Sequence, residues 1–544
     1  MRARKMFILL FACLTVTLAK VADGRKYVDL KQGPVLGFID QDVEVFGFYG
    51  IPYATAPTGR DRFKAPLPPP IWNNTFKAID QETICPQYGQ EDYKDKKVKE
   101  DCLIANVFVP NTETKNLPVM VLVHGGAFQL GYGNSRTPKQ LVSSKRIIAV
   151  TFNYRVGPHG FLCLGTEEAP GNAGMKDQVA LLRWVKENIR DFGGNPDDVT
   201  IVGCSSGGAS VDLLLLSKMA NGLFNKAIAM SGANVGVFGA QVDPIENARN
   251  YMKNFARNYK GDDVESLVEF YVNVPLELLN SVDLLGTKDL AVVFQPCVEA
   301  DIGIERFLHD TPVNIIKNGD YVRRPLLYGF ANMEGLYRTR YFESWTVGMN
   351  DNYSEYLPAD LGFRTEEEKQ EVAERIKQFY FGDKLVDNKT SLEYVEYFTD
   401  AMFVYAMQRS VTLQVGAGNN DIYLFVYSFV DKDSEYVPYT DIQGATHCME
   451  AHAAMDEDES EITPEYKLMK QTMRQVWLDF ITTGNPSPQG SSLPPWPPSG
   501  ANRTPCMDFG RTIHLSGPFE EKRTRFWDNI YNQYYRQPVT PYKL

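Results

Sequence analysis

Six short runs of this chain are almost continuously apolar: Val119–Val123, Ile147–Tyr154, Val199–Val202, Ala227–Met230, Leu326–Gly329 and Ile422–Val430. Runs of this length without polar alternation are the mark of strands buried on both faces. Between the second and third, Val179, Leu182, Val185 and Ile189 recur at helical spacing along Lys176–Ile189. Strands alternating with helices predict an α/β fold, a large and mostly parallel central sheet flanked by helices. In such sheets the reactive groups collect on the loops at the carboxyl ends of the strands. Chemistry is therefore to be sought just after each run.

The clearest case follows Val199–Val202, where Gly203-Cys204-Ser205-Ser206-Gly207 leads into the helix-compatible Ser210–Leu216. A G-x-S-x-G between strand and helix forces the serine into a sharp turn that only glycines leave room for, and lifts its Oγ above the sheet. Ser205 is the expected nucleophile. After Val119–Val123 comes His124-Gly125-Gly126-Ala127-Phe128, small residues that let backbone N–H groups turn inward as an oxyanion hole requires, with His124 bracing the loop. After Leu326–Gly329 comes Phe330-Ala331-Asn332-Met333-Glu334-Gly335, a carboxylate placed to orient an imidazole. Of the six histidines, His124, His159, His309, His447, His452 and His514, only His447 and His452 lie beyond both the serine and the glutamate and near a suitable strand. His447, in Gly444-Ala445-Thr446-His447, is favoured. His452 falls where the next helix begins and is read as packing, and His514 sits in a short strand-like segment near the C-terminus. The order Ser205, Glu334, His447 is that of an α/β-hydrolase triad. The histidine spacing does not suit a zinc site and no third ligand is evident; the triad chemistry that the family resemblance given below implies requires no metal or cofactor.

Composition narrows the setting. The 544 residues are 44% apolar and 23% charged, with no repeat and no linker, so one large domain over 20–544 is expected. Arg2, Arg4 and Lys5 followed by the apolar Met6–Leu18 and Thr17-Leu18-Ala19 read as a signal peptide, residues 1–19, too short to span a bilayer. Its removal would take the net charge from −12 to −15, which speaks against nucleic acid or anionic membrane as a partner. A secreted, extracellular protein without a membrane anchor is expected, its oligomeric state left open. The acidic run Asp456–Glu461 is read as a solvated face. Seven cysteines remain after the signal, so at least one is unpaired; Cys85 and Cys102, flanking one polar loop, are the best candidate pair. Sequons at Asn73, Asn352, Asn388 and Asn502 are candidate glycosylation sites.

Further motifs spread along the chain. They include Phe48-Tyr49-Gly50-Ile51-Pro52-Tyr53-Ala54, Glu100-Asp101-Cys102-Leu103, Asn153-Tyr154-Arg155-Val156-Gly157, Phe192-Gly193-Gly194-Asn195-Pro196 and Thr483-Gly484-Asn485-Pro486. With these, nearly the whole mature chain resembles the type-B carboxylesterases, the family that includes the cholinesterases. The resemblance implies Ser205 as nucleophile, His447 as general base and acid, Glu334 as its orienting partner, and oxyanion donors at Gly126, Ala127 and Ser206. It also implies a Cys85–Cys102 disulfide and ion pairs Arg62–Glu100 and Arg155–Asp177. Two departures stand out. Cys204 and Ser206 replace the Glu and Ala that many members carry around the serine, and the Cys85–Cys102 loop contains no Trp. Both point away from a cationic substrate and towards small or medium apolar esters, with Cys204 expected to set a free thiol beside the nucleophile. The subclass suggested is an insect-type secreted carboxylesterase. The rivals are a juvenile-hormone- or odorant-specific esterase, a secreted lipase and, from another class, a non-catalytic adhesion protein on the same fold.

Overall fold

In the computed structural model, residues 24–255, 263–456 and 459–541 are described; the proposed signal peptide, 1–19, lies outside them. The chain opens with antiparallel strands β1 (Arg25–Leu30), β2 (Gly33–Asp40), β3 (Val45–Pro52) and β4 (Ile104–Pro110). The core strands follow: β5 (Leu117–Val123), β6 (Ile148–Phe152), β7 (Gly194–Cys204), β8 (Lys226–Met230), β9 (Leu326–Ala331) and β10 (Ile422–Tyr427). The edge is β11 (Cys506–Phe509) and β12 (Ile513–Ser516), the second carrying His514. In space the order is β1-β2-β3-β4-β6-β5-β7-β8-β9-β10-β11-β12, with the short strand Phe76–Lys77 beside β2. From β6 through β11 every pairing is parallel. Each of the six apolar runs holds a strand, though Ile422–Val430 runs three residues past its strand and Ile147–Tyr154 overruns its strand at both ends, and the expected α/β-hydrolase architecture is present.

Alternation within each buried strand divides the core in two. Val119, Val121, Val199, Ile201, Leu424 and Val426 join one cluster, while Met120, Val202, Ile228, Tyr423 and Phe425 join another on the opposite face. The first is covered by α1 (Ala173–Asn188) through Met175, Val179, Leu182 and Val185, and by α2 (Ser206–Leu214). The second is covered by α4 (Pro464–Thr483), whose Met473, Val476, Trp477, Phe480 and Ile481 face the sheet; α3 (Met449–Ala454) precedes it. Burying a large apolar side chain is worth about 1.5–3 kcal/mol, so both layers are strongly favoured.

The chain order reverses around β5, which has β6 on one side and β7 on the other. Such a switch point opens a crevice at the carboxyl ends of the strands. Leu122 pairs with Val202 and Val123 with Gly203, so the loop after β5 and the elbow after β7 emerge side by side.

The ion pairs implied by resemblance divide. Arg155 and Asp177 are fully buried and doubly joined, Nε donating to Oδ2 at 2.8 Å and Nη2 to Oδ1 at 2.6 Å. Arg62–Glu100 does not form. The Arg62 guanidinium instead donates to the carbonyls of Val272 (3.2 Å) and Val274 (3.0 Å), at the end of the helix Val264–Asn273. Unpaired carbonyls and the negative pole at a helix C-terminus attract a cation there. Nor is the acidic run merely a solvated face. Asp456 accepts from Thr137 Oγ1, Lys139 N and Gln140 N, tying down the turn that starts the short helix Lys139–Val142, and Glu459 pairs with Arg474.

Candidate active site

Ser205 stands between β7 and α2 with φ 61° and ψ −131°, a backbone region that non-glycine residues avoid. Two contacts enforce it. Ser205 N donates to Met230 O of the neighbouring strand at 2.9 Å, and the flanking glycines leave no room for side chains. A Cβ on Gly203 would meet Gly207 O at 2.3 Å, and one on Gly207 would meet Val123 O at the same distance. On the adjoining loop, a Cβ on Gly125 would meet Cys204 O at 2.7 Å. The two loops thus touch backbone to backbone.

Unpaired backbone donors lie on these two loops. Gly126 and Ala127 hold positive φ (117° and 53°), and their N–H groups, like that of Ser206 in the first turn of α2, have no hydrogen-bond partner among the described residues. His124 braces the loop, as expected. Its ring stacks on Tyr154 with centroids 4.2 Å apart, Nδ1 lies 2.9 Å from Gly125 O, and Tyr154 Oη donates to His124 O. Burial lowers the His124 pKa to about 4, so the ring is neutral and its Nδ1–H is the donor to Gly125 O.

Glu334, three residues past β9, is fully buried and accepts three hydrogen bonds. Oε1 takes Ala331 N at 2.8 Å and Ser231 Oγ at 2.6 Å, while Oε2 lies 2.5 Å from His447 Nδ1. His447 is further held by ring contacts with Phe403 at 4.3 Å and Tyr337 at 5.2 Å. Its Nε2 therefore faces away from Glu334. Ser205 and His447 together line two cavities. One is about 550 Å³ and bounded by Tyr93, Tyr132, Met230, Met455 and Trp477. The other, about 20 Å³, lies against Phe238, Leu284, Val292, Phe403 and Arg338. Arg338 is buried with no carboxylate partner among the described residues, its guanidinium donating to Leu285 O and lying near the rings of Tyr337, Tyr341 and Trp345.

Two participants escaped the sequence reading. Ser231 Oγ bridges Glu334 Oε1 (2.6 Å) and Glu450 Oε1 (2.5 Å). One hydroxyl carries one proton, so the second bond requires a proton on a carboxyl group. Glu450 is the group that holds it, because burial first and the Glu334 charge second push its pKa upward. Nothing in the chain around Ser231 or Glu450 marks them; the only signal is that Glu450 lies three residues beyond His447. Glu450 Oε1 also lies 3.7 Å from Cys204 Sγ.

The free thiol expected at Cys204 is a correction. Cys204 is bonded to Cys448, with Cα atoms 6.1 Å apart across 244 residues of chain. Once Ser205 meets His447, their neighbours Cys204 and Cys448 are within disulfide range. Cys85–Cys102 forms as expected, Cys163 pairs with Cys297, and among the described residues Cys506 is the unpaired cysteine, buried and with its thiol pushed up to about 12 by burial. His452 lies beside the larger cavity, and burial lowers its pKa to about 3, so it is neutral there. Among the described residues no cluster of three or more His, Cys, Asp or Glu could hold a metal ion.

Comparison with known proteins agrees with this geometry. The model of the carboxylesterase family matches residues 24–527. The chain belongs to the carboxylesterase family. It is 33% identical over 455 residues to a carboxylic ester hydrolase of Bombus ignitus, covering 80% of each chain. It is 30% identical to the juvenile hormone esterase of Heliothis virescens, covering 90% of this chain and 91% of that one. The structure of juvenile hormone esterase from Manduca sexta, with OTFP covalently attached, superposes with a TM-score of 0.81 at 29% identity, covering 93% of this chain and all of that one. This carboxylesterase is accordingly a carboxylic ester hydrolase whose substrates are small-molecule esters.

Proposed function

We propose that this carboxylesterase works through an acyl-serine intermediate on Ser205. The observation that carries the reading is that Ser205, on its strained elbow, and His447, anchored by Glu334, line the same two cavities. His447 Nε2 takes the Ser205 proton as Oγ attacks the ester carbonyl. The free N–H groups of Gly126, Ala127 and Ser206 receive the developing oxyanion, a contribution of about 3 kcal/mol per donor. Glu334 keeps the proton on Nδ1 and stabilises the imidazolium. His447 then protonates the leaving alcohol and activates the water that frees the acid.

The unequal chambers support a substrate with unequal arms. A space of about 20 Å³ takes one methyl-sized group or a water, whereas about 550 Å³ accepts an extended apolar arm. The favoured ester has one short arm and one long apolar arm. Acetates of lengthening alcohols and methyl esters of lengthening acids test this, with juvenile hormone included in the series. Turnover should tolerate growth of one arm and fall steeply with growth of the other. Equal tolerance of both would refute the assignment.

We further propose that the protein is extracellular and glycosylated. Three disulfides support an oxidising compartment, and among the described residues no helix is long and apolar enough to cross a membrane. Asn73, Asn388 and Asn502 are exposed and open to a glycan. Asn352 is half-buried and bonded to Ser354 and Gln370, which makes it the poorest of the four acceptors.

A further inference from the structure

The Cys204–Cys448 disulfide joins the residue before the nucleophile to the residue after the base. We propose that it is a positioning element of the active site: it fixes the His447 loop against the Ser205 elbow, and opening it through the substrate cavity abolishes efficient turnover while the fold remains. The inference rests on the reading that Ser205 and His447 are the reacting pair.

Three observations lead to it. First, His447 sits at the end of a long irregular connection running from Ser428 to Cys448, between β10 and α3. Besides its bond to Glu334 and two ring contacts, that end is tied to the loop after β9 by Met333 N to Ala445 O and Ala445 N to the side-chain Oδ1 of Asn332, and locally by Gly444 N to Glu435 O, Met449 N to Thr446 O, and Ala451 N and His452 N to Cys448 O. Long connections of this kind are the mobile parts of a fold, yet a misplacement of about 1 Å at a reacting atom costs about 10²-fold in rate. A covalent bridge one residue from each reacting group removes that freedom. Second, the bridge lies in the site itself. Both cysteines line the larger cavity, and Cys448 Sγ is 3.8 Å from His447 Nε2, the nitrogen that must reach Ser205. Third, it is the accessible disulfide of the three. The cysteines of the other two are 0–1% exposed, whereas Cys448 is 8% exposed and Cys204 half-buried, both on a cavity wall.

A dithiol reductant entering the cavity would act on this bond first. Its thiolate attacks one sulfur, the S–S bond breaks, and the other cysteine leaves as a thiolate that takes up a proton. The reductant's second thiolate then displaces the first cysteine and closes a cyclic disulfide. Two electrons pass from the reductant to the protein, leaving thiols at Cys204 and Cys448. The Cys448 thiol, against Nε2, then competes with Ser205 for the imidazole, and its thiolate favours the imidazolium.

The test is to treat the folded enzyme with dithiothreitol, map the opened bond by alkylation and mass spectrometry, and follow p-nitrophenyl acetate turnover with circular dichroism. Selective opening of Cys204–Cys448 should lower kcat about 10- to 100-fold with little change in KM, raise the apparent pKa of the base in the pH–rate profile, leave the dichroism unchanged, and reverse on reoxidation. A Cys204→Ala/Cys448→Ala variant should show the same kcat loss without the pKa change, whereas Cys163→Ser/Cys297→Ser should lose stability and keep kcat. Retention of kcat within about twofold after selective opening, or loss of activity only together with the dichroism signal, would overturn the inference. Ser205→Ala, run alongside, separates the two claims. An active Ser205→Ala enzyme refutes the catalytic reading, whereas an inactive one beside a fully active Cys204→Ala/Cys448→Ala enzyme refutes only the positioning role.

Discussion

Replacing Glu334 by Gln changes one oxygen into an NH₂ group, and the hydrogen bonds around the site dictate which. Oε1 accepts from Ala331 N at 2.8 Å and from Ser231 Oγ, and a backbone N–H cannot become an acceptor. The amide oxygen must therefore keep the Oε1 place, and the NH₂ must face His447 Nδ1, where the carboxylate oxygen stood at 2.5 Å. Donating to Nδ1, it forces the imidazole proton onto Nε2, the nitrogen that takes the Ser205 proton in the proposed mechanism. The resting enzyme then holds the wrong tautomer, and the imidazolium formed during attack loses its counter-charge. With Glu334 fully buried, no water can restore the acceptor. A wrong-tautomer substitution of this kind costs about 10⁴-fold in kcat, or about 5 kcal/mol of barrier. Steady-state turnover of p-nitrophenyl acetate by Glu334→Gln, beside its thermal unfolding curve, measures this. A folded variant with kcat within about tenfold of the parent would refute the assignment of Glu334.

Three further outcomes are expected. Ala127→Gly removes a methyl carried at positive φ (53°) on the wall of both cavities; the parent should turn over tert-butyl acetate poorly beside a primary acetate, and the variant should narrow that gap, while comparable rates for both esters in the parent would contradict it. Asp177→Ala strands the fully buried Arg155 guanidinium and should cost about 3–5 kcal/mol in denaturant unfolding, with a loss below about 1 kcal/mol counting against the pair. Glu450 has a folded pKa raised above its unfolded value, so its contribution is present below the unfolded pKa and lost as pH rises through the folded one. Glu450→Gln should therefore gain in melting temperature relative to the parent between about pH 5 and about pH 9, and a pH-independent difference would contradict the assignment.

What the sequence disclosed follows from how each feature is encoded. The parallel core strands were legible because burial on both faces writes a continuous apolar run, as in Val119–Val123 and Ile422–Tyr427. The elbow was legible because its glycines are sterically compulsory around Ser205. The antiparallel strands Arg25–Pro52 were not, since their faces are unevenly buried and no clean period survives. Ser231 and Glu450 were invisible because their roles come from the meeting of β8, β9 and α3, which no local pattern records. Arg62 chose helix-end carbonyls over the Glu100 carboxylate because those acceptors lay nearer in the fold. The Cys204–Cys448 bond was within reach, since two cysteines beside two residues that must meet will meet as well.

The central claim is that Ser205 forms the covalent intermediate. Titration with an organophosphate, followed by peptide mass spectrometry, addresses it directly. One phosphyl adduct per chain on Ser205, appearing in step with the loss of esterase activity and absent from the Ser205→Ala variant, is the predicted result. Inhibition with the adduct on another residue, or an active enzyme that Ser205→Ala leaves intact, would contradict it.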